Sequence, residues 1–319
     1  MPAPTSPPAV RVEQLGHDYR GRAALQEVDL EVAPGEMFGL LGPNGSGKTT
    51  LFRILATLLR PATGRAMVFG RDAVREPAAV RARLGVVFQA PAVDRLLTVR
   101  ENLDIHGRLY GMRGRTLRDA ITATLERLRL ADRAHDRVGV LSGGLARRVE
   151  IAKGVLHRPA LLLLDEPSTG LDPAARADLW DCVRELRARD GTTILFTTHL
   201  LEEADGCDRV AILAAGRVVA HGAPRALREE VGGDVLVITT RGDAARLRAD
   251  VESLAGLPAT EIDGAIRLET PAARVLVPRL LETFPDRIDA LTLGRPTLFD
   301  VFVRRTGKRF EPVAAREAS

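Results

Sequence analysis

The sequence is poor in residues that staple or anchor a protein. Its 319 residues include two cysteines, Cys182 and Cys207, with no ligand-type neighbours at metal-binding spacing. That excludes a disulfide framework and points to a reducing compartment. Lysine is confined to Lys48, Lys153 and Lys308, so the net charge of +4 rests on arginine spread along the chain. Scattered arginine makes a solvated surface, whereas a nucleic-acid stripe needs clustering on one face. No nucleic-acid partner is therefore expected. Apolar runs are short: "ALLLL" at 160–164 is among the longest, far below the ~20 residues of a membrane helix. Any membrane involvement must come through another chain. The opening "MPAPTSPPAV" lacks the basic and apolar regions of a signal peptide and reads as a disordered Pro-rich tail over 1–8.

What is present is ordinary for a globular protein: 45% apolar and 28% charged residues. The length suits one large domain and a small one. Residues 9–41 read as the strands "VRVEQL", "ALQEVDLEV" and "MFGLL", with "PGE" as the last turn. "TTLFRILATLLR" has helical periodicity and is predicted to end before Pro61. "GRAMVFG" and "RLGVVFQ" read as strands. The texture then turns helical. Thr98 and Glu101 stand at capping-box spacing, "TLRDAITATLERLRL" is amphipathic, and a helical insertion spans about 92–157. "RPALLLLDEP" returns to a buried strand, and Asp172 followed by Pro173 predicts a capped helix. "TTILFTTH", "RVAILAAGRVVAHG" and the helix "APRALREE" close the first domain near 230. Beyond Gly232 and Gly233 the order is strand, helix, strand, strand, helix, strand, a ferredoxin-like signature over 231–303. A last helix at "PTLFDVF" carries a Thr297/Asp300 cap, and 304–319 is a polar tail.

Three stretches carry chemistry. "GPNGSGKTT", residues 42–50, matches G-x-x-x-x-G-K-[ST] with a strand before it and a helix after it. Gly42, Gly45 and Gly47 let the backbone curl with its N–H groups inward, and the helix dipole adds to this anion cradle. Pro43, Asn44, Ser46 and Thr50 complete the loop, Lys48 reaches the β and γ phosphates, and the Thr49 hydroxyl coordinates Mg²⁺. Asp165 and Glu166 end an apolar strand, at the sheet edge where ligands of such folds bind. An Asp there can hold Mg²⁺ and the Glu can accept the proton of an attacking water. Finally, Ser142, Gly143 and Gly144 form a second glycine turn at a helix start, a second anion site by the same physics. Standing alone, that turn reads equally as a helix cap. One chain cannot easily aim both helix starts at one γ-phosphate, but two chains arranged head to tail can.

In this order and spacing the motifs resemble those of the ATP-binding subunit of an ABC transporter, over residues 9 to about 230. The resemblance makes "GPNGSGKTT" Walker A, "LSGG" the signature, "LLLLDE" Walker B and "STGLD" the D-loop with Asp172. It makes Gln89 the Q-loop glutamine, a further metal ligand, and His199 the switch histidine on the γ-phosphate. Tyr19 takes the place of the aromatic that stacks on adenine; from the residues alone it reads equally as a surface tyrosine. The family's usual glutamine after the signature glycines is here Leu145, which leaves the anion-binding groups in place and is familiar among exporters.

"RPTLFDVFVRRTGK" is similar to the closing segment of the daunorubicin-resistance type of drug exporter ATPase, whose relatives export polysaccharides, sodium or lipids. For 232–303 the residues favour a module that packs against the ATPase domain or its dimer mate, since no ligand motif appears there.

The resemblance implies an α/β fold: a P-loop NTPase core with an antiparallel β-subdomain, an inserted helical subdomain and a small α+β ferredoxin-like C-terminal domain. It implies ATP and Mg²⁺ as cofactors, and as partners a second copy of the chain and a separate transmembrane permease. The location would be the cytoplasmic face of the membrane. Export of a drug-like or other hydrophobic compound is favoured over import. A soluble relative acting on the ribosome or DNA is disfavoured, because a single cassette is present and no long coiled coil lies between residues 51 and 140.

Overall fold

The structure is a computed structural model that describes residues 7–240 and 242–307. Residues 1–6 of the expected N-terminal tail and 308–319 of the expected polar tail lie outside the described residues. The chain divides into two compact units, residues 1–199 with 215–217, and residues 200–214 with 218–319.

The first unit opens with two long strands, β1 (Val10–Tyr19) and β2 (Arg22–Val32), followed by the buried β3 (Met37–Leu41). Then come α1 (Lys48–Leu55), β4 (Thr63–Val68), the short β5 (Arg71–Asp72), α2 (Pro77–Arg81) and β6 (Leu84–Val87). Three helices follow: α3 (Val99–Leu109), α4 (Gly114–Arg127) and α5 (Gly143–Val155). The unit continues with β7 (Leu161–Asp165), α6 (Pro173–Asp190) and β8 (Thr193–Thr198).

β2, β1, β4 and β5 form an antiparallel sheet in that order. β1 is longer than its "VRVEQL" pattern because it shifts register against β2 at three places. Gln14 takes a positive φ of 46° there and its amide donates to Asp29 at 2.8 Å. β3 pairs in parallel with β8, β8 with β7, and β7 with β6. β3, β7 and β8 are buried along their whole length, as the strands of a parallel sheet covered on both faces are.

α1 stops at Leu55, well short of Pro61. Thr57 enters the left-handed region at φ 64°, and the amides of Leu58 and Leu59 turn back to the Arg53 carbonyl. The helix is closed by these backbone bonds, so the proline is not what ends it. The Thr98 capping box on α3 forms as its spacing predicts, with the Glu101 carboxylate returning to the Thr98 amide at 2.8 Å.

The second unit begins with α7 (Leu201–Asp205), the neighbouring strands β9 (Arg209–Ala214) and β10 (Arg217–Gly222), and α8 (Pro224–Glu229). Then follow β11 (Asp234–Thr240), α9 (Ala244–Ala255), β12 (Ala259–Ile262), β13 (Ala265–Thr270), α10 (Ala273–Thr283) and β14 (Ile288–Gly294). α11 (Leu298–Thr306) ends the described chain. The sheet order β12-β13-β11-β14, antiparallel throughout, is that of a ferredoxin-like fold. Its core is Leu236, Ile238, Ile266 and Leu268 from the sheet against Leu247, Val251, Leu276 and Leu280 from the helices. Asp300 receives hydrogen bonds from the Thr297 amide at 2.7 Å and hydroxyl at 2.6 Å and forms a buried ion pair with Arg267. Among the described residues no helix is long and apolar enough to cross a membrane.

Candidate functional site

The loop from β3 to α1 closes because glycines sit where its backbone needs them. Gly47, at φ 108°, caps α1, and a Cβ there would strike the Ala24 carbonyl and the Leu25 side chain. The Gly42 amide donates to the Thr198 carbonyl at 3.3 Å, tying the loop to the end of β8. Lys48, 4% exposed, donates from Nζ to the carbonyls of Gly42 at 2.8 Å and Pro43 at 3.2 Å. Burial lowers its pKa, against the pull of the Glu166 charge. The Ser46 hydroxyl is buried with no hydrogen-bond partner among the described residues. No acidic residue stands in the first turn of α1, so its dipole is free to favour an anion.

The carboxylates sit opposite. Asp165 Oδ1 accepts hydrogen bonds from Thr197 Oγ1 at 2.6 Å and from Thr49 Oγ1 at 3.4 Å. Burial raises the pKa of Asp165, and those two donors work against the rise. Glu166 leaves the strand with φ 45°, a conformation that costs a residue with a side chain on the order of 1–3 kcal/mol. Its amide donates to Thr197 Oγ1 at 2.9 Å. Its carboxylate lies 3.6 Å from Lys48 Nζ and 3.4 Å from His199 Nδ1. It also accepts from Thr169 Oγ1 at 3.3 Å and from Gln89 Nε2 at 3.5 Å. Burial works to raise this carboxyl, but His199 and the Lys48 charge outweigh it and hold it below its ordinary value. A carboxylate kept ionised and ringed by donors is suited to orient a water and take its proton.

Tyr19, Asn44, Gly45, Gly47, Lys48, Thr49, Thr50, Gln89 and Glu166 line one cavity of about 520 Å³, joined by Arg22, Ala23 and Ala24. Gly42, Pro43, Asp165 and His199 stand behind this lining through the contacts given above. Tyr19 reaches it from the end of β1, its ring edge-on to His17 at 4.8 Å.

The signature residues are elsewhere. Ser142 and Gly143 are exposed, and the Ser142 hydroxyl accepts from the Leu145 amide at 3.4 Å to cap α5. Gly144 lies where a Cβ would come within 2.8 Å of Ala175 Cβ, so α5 and α6 approach closely there. Asp172 is exposed and caps α6 through the Ala175 amide at 2.9 Å. Gly143 lines a second cavity of about 370 Å³ with Gln89, Arg147, Glu150 and Glu166. Within one chain, then, the signature turn does not line the phosphate-loop cavity.

Two residues that the motifs did not single out matter here. Thr197, fully buried, bridges Asp165 and Glu166; in "TTILFTTH" it passes for a strand-forming threonine. Arg147 donates to four backbone carbonyls behind the site: Phe88 at 2.7 Å, Pro167 at 2.8 Å, Asp165 at 3.1 Å and Glu166 at 3.4 Å. Nothing in its spacing sets it apart from the neighbouring Arg148.

The family model described as ABC transporter matches residues 25–169. A model described as an AAA domain, putative AbiEii toxin, Type IV TA system, matches residues 145–205. The daunorubicin resistance ATP-binding protein DrrA2 of Streptomyces coeruleorubidus is 41% identical, over 98% of this chain and 99% of that protein. The Nod factor export ATP-binding protein I of Rhizobium leguminosarum bv. viciae is 39% identical, over 96% of this chain and 97% of its own length. Among solved structures, CbiO1 of Clostridium perfringens, part of the ABC transporter complex CbiONQ, superposes with a TM-score of 0.66 at 28% identity, over 70% of this chain and 91% of that one. A dimeric post-hydrolysis state of the ATP-binding cassette MJ0796, bound to ADP and Pi, gives a TM-score of 0.61 at 27% identity, over 67% of this chain and 98% of that one.

Proposed function

The chain belongs to the family of ATP-binding subunits of ABC transporters, and from that premise we propose that it hydrolyses ATP to drive a separate membrane permease exporting a hydrophobic, drug-like compound. The observation that carries the hydrolytic part is Glu166, held ionised between Lys48 and His199 at the edge of the phosphate-loop cavity. Lys48 and the loop amides neutralise the phosphates, Tyr19 and the β1–β2 turn take the base, and Glu166 accepts the proton of the attacking water. His199 and Gln89 hold that carboxylate and the water in place. The names of the relatives, drug resistance and Nod factor export, support the direction of transport.

The Thr49 hydroxyl and the Asp165 carboxylate, 3.4 Å apart, are hard oxygen donors of the kind Mg²⁺ takes. Thr49 and Asp165 would hold it, with Gln89 alongside, and bound there it would neutralise charge on the phosphates.

Two copies, head to tail, complete the site in this reading. The signature turn of one chain, Ser142 to Gly144 with Asp172 beside it, faces the nucleotide on the P-loop of the other. Its exposure at the start of α5, whose first turn holds no acidic residue, supports this. Glu166→Gln tests the whole reading. It should bind ATP, turn over at least about a hundredfold more slowly, and accumulate as an ATP-bound dimer on gel filtration. Near-normal turnover would remove Glu166 from the base role, and copurification of the protein with ribosomes instead of a permease would overturn the transport reading.

A further inference from the structure

We propose that Arg147 is the positioning residue that carries engagement of the signature turn to this chain's own Gln89 and Glu166, and so makes hydrolysis at the two sites of the dimer cooperative. The inference rests on the two-copy reading above. Arg147 stands on the second turn of α5, the helix whose first residues form the signature turn. Its guanidinium spreads donors in a planar fork, which a single ammonium cannot do. One branch reaches the Phe88 carbonyl, next to Gln89; the others reach the carbonyls of Asp165, Glu166 and Pro167. The peptide units that set both side chains are thus hung from one group on the signature helix.

The rest of that helix face grips the same loop. Residues 147, 150 and 153 are spaced three apart and share a face. Glu150 accepts from the amides of Ala92 at 2.7 Å and Val93 at 3.2 Å, and the Lys153 ammonium donates to the Ala92 carbonyl. Of the three, Arg147 also reaches the end of β7. A small displacement of α5, driven from its N-terminus, therefore cannot leave the segment 88–93 or residues 165–167 where they were.

Glu166 is the element that such a displacement can move. Its backbone is held in the left-handed region by Thr197 on the amide side and Arg147 on the carbonyl side. A shift of Arg147 redirects the carboxylate relative to Lys48 without touching the phosphate loop.

The test uses the full chain with its permease in membrane vesicles, or as the soluble ATPase where that alone turns over. Arg147→Ala should lower kcat at least tenfold and reduce the Hill coefficient for ATP towards one, with the Kd for ADP within about twofold of wild type. Arg147→Lys, which keeps the charge but not the fork, should recover part of kcat and less of the Hill coefficient. Two results overturn the proposal. One is a Hill coefficient within error of wild type in Arg147→Ala. The other is a loss of ADP affinity in parallel with kcat, which would make Arg147 a general prop. The Glu166→Gln dimer separates the two readings. If it does not accumulate, the two-copy reading fails; if it does and Arg147→Ala stays cooperative, only the role of Arg147 falls.

Discussion

Thr197→Val is the most exacting test of the site's internal wiring, because it removes one hydroxyl and almost no volume. That hydroxyl donates to Asp165 at 2.6 Å and accepts from the Glu166 amide at 2.9 Å, in a position with no solvent exposure. Losing a hydrogen bond to a carboxylate is worth about 1.5–3 kcal/mol, and stranding a buried amide about 1–3 kcal/mol. Both effects flow from one hydroxyl and partly overlap, so about 3 kcal/mol is the expected cost. A unit of this size shifts its Tm by roughly 2–4 °C per kcal/mol, which places the loss on the order of 6–12 °C. The fluorescence of the single tryptophan reports it directly. Trp180 on α6 is 5% exposed and lies 4.5 Å from the ring of Phe196, the residue before Thr197. Turnover should fall about tenfold as the Glu166 backbone loses its amide anchor. Thr197→Ser, which keeps the hydroxyl and loses a methyl, should cost only about 1 kcal/mol. A Tm for Thr197→Val within about a degree of wild type, or equal damage from Thr197→Ser, would refute the reasoning.

Two further outcomes concern stability elsewhere. His106 on α3 is pushed down to about 4 by burial, with the charges of Lys153 and His157 adding to it. The unfolded chain therefore binds this proton first, so stability should be lost as pH falls from 6.5 towards 4 and not further below. His106→Gln should flatten that part of a Tm-against-pH curve relative to wild type. In the second unit, Asp300→Ala takes the buried carboxylate of Asp300 from the partly buried Arg267 and removes the Thr297 cap. Breaking a buried pair costs about 3–5 kcal/mol, so limited proteolysis should cut near α11 while ADP binding at the phosphate loop persists.

Much of this was legible in the sequence because its signals are local. Apolar runs give β3 and β7, β-branched and aromatic residues give β8, alternation such as "AIRLET" gives β13, and the Thr98 and Thr297 boxes start α3 and α11 as their spacing predicts. The phosphate loop is legible for the same reason, since one short stretch supplies both the glycines and the lysine. What escaped depends on distant backbone. Arg147 is distinguished from Arg148 only by four carbonyls brought behind it from residues 88 and 165–167. Thr197 matters only because β8 lies beside β7. α1 ends before Pro61 as expected, but how far before is not legible, because Pro61 is a visible stop whereas the left-handed turn at Thr57 is not.

The pairing of β3 with β8, Met37 opposite Ile194 and Leu41 opposite Thr198, also sets a timetable for biosynthesis. The apolar strand that leads into the phosphate loop leaves the ribosome early, yet this neighbour is made only after the helices α3 to α6. Until then five consecutive residues destined for full burial have no β8 to close against, and such long-range pairing is slow to form. The nascent chain must carry that segment without this partner through most of its first unit, so the nucleotide pocket is completed late in the making of that unit, before most of the second unit exists.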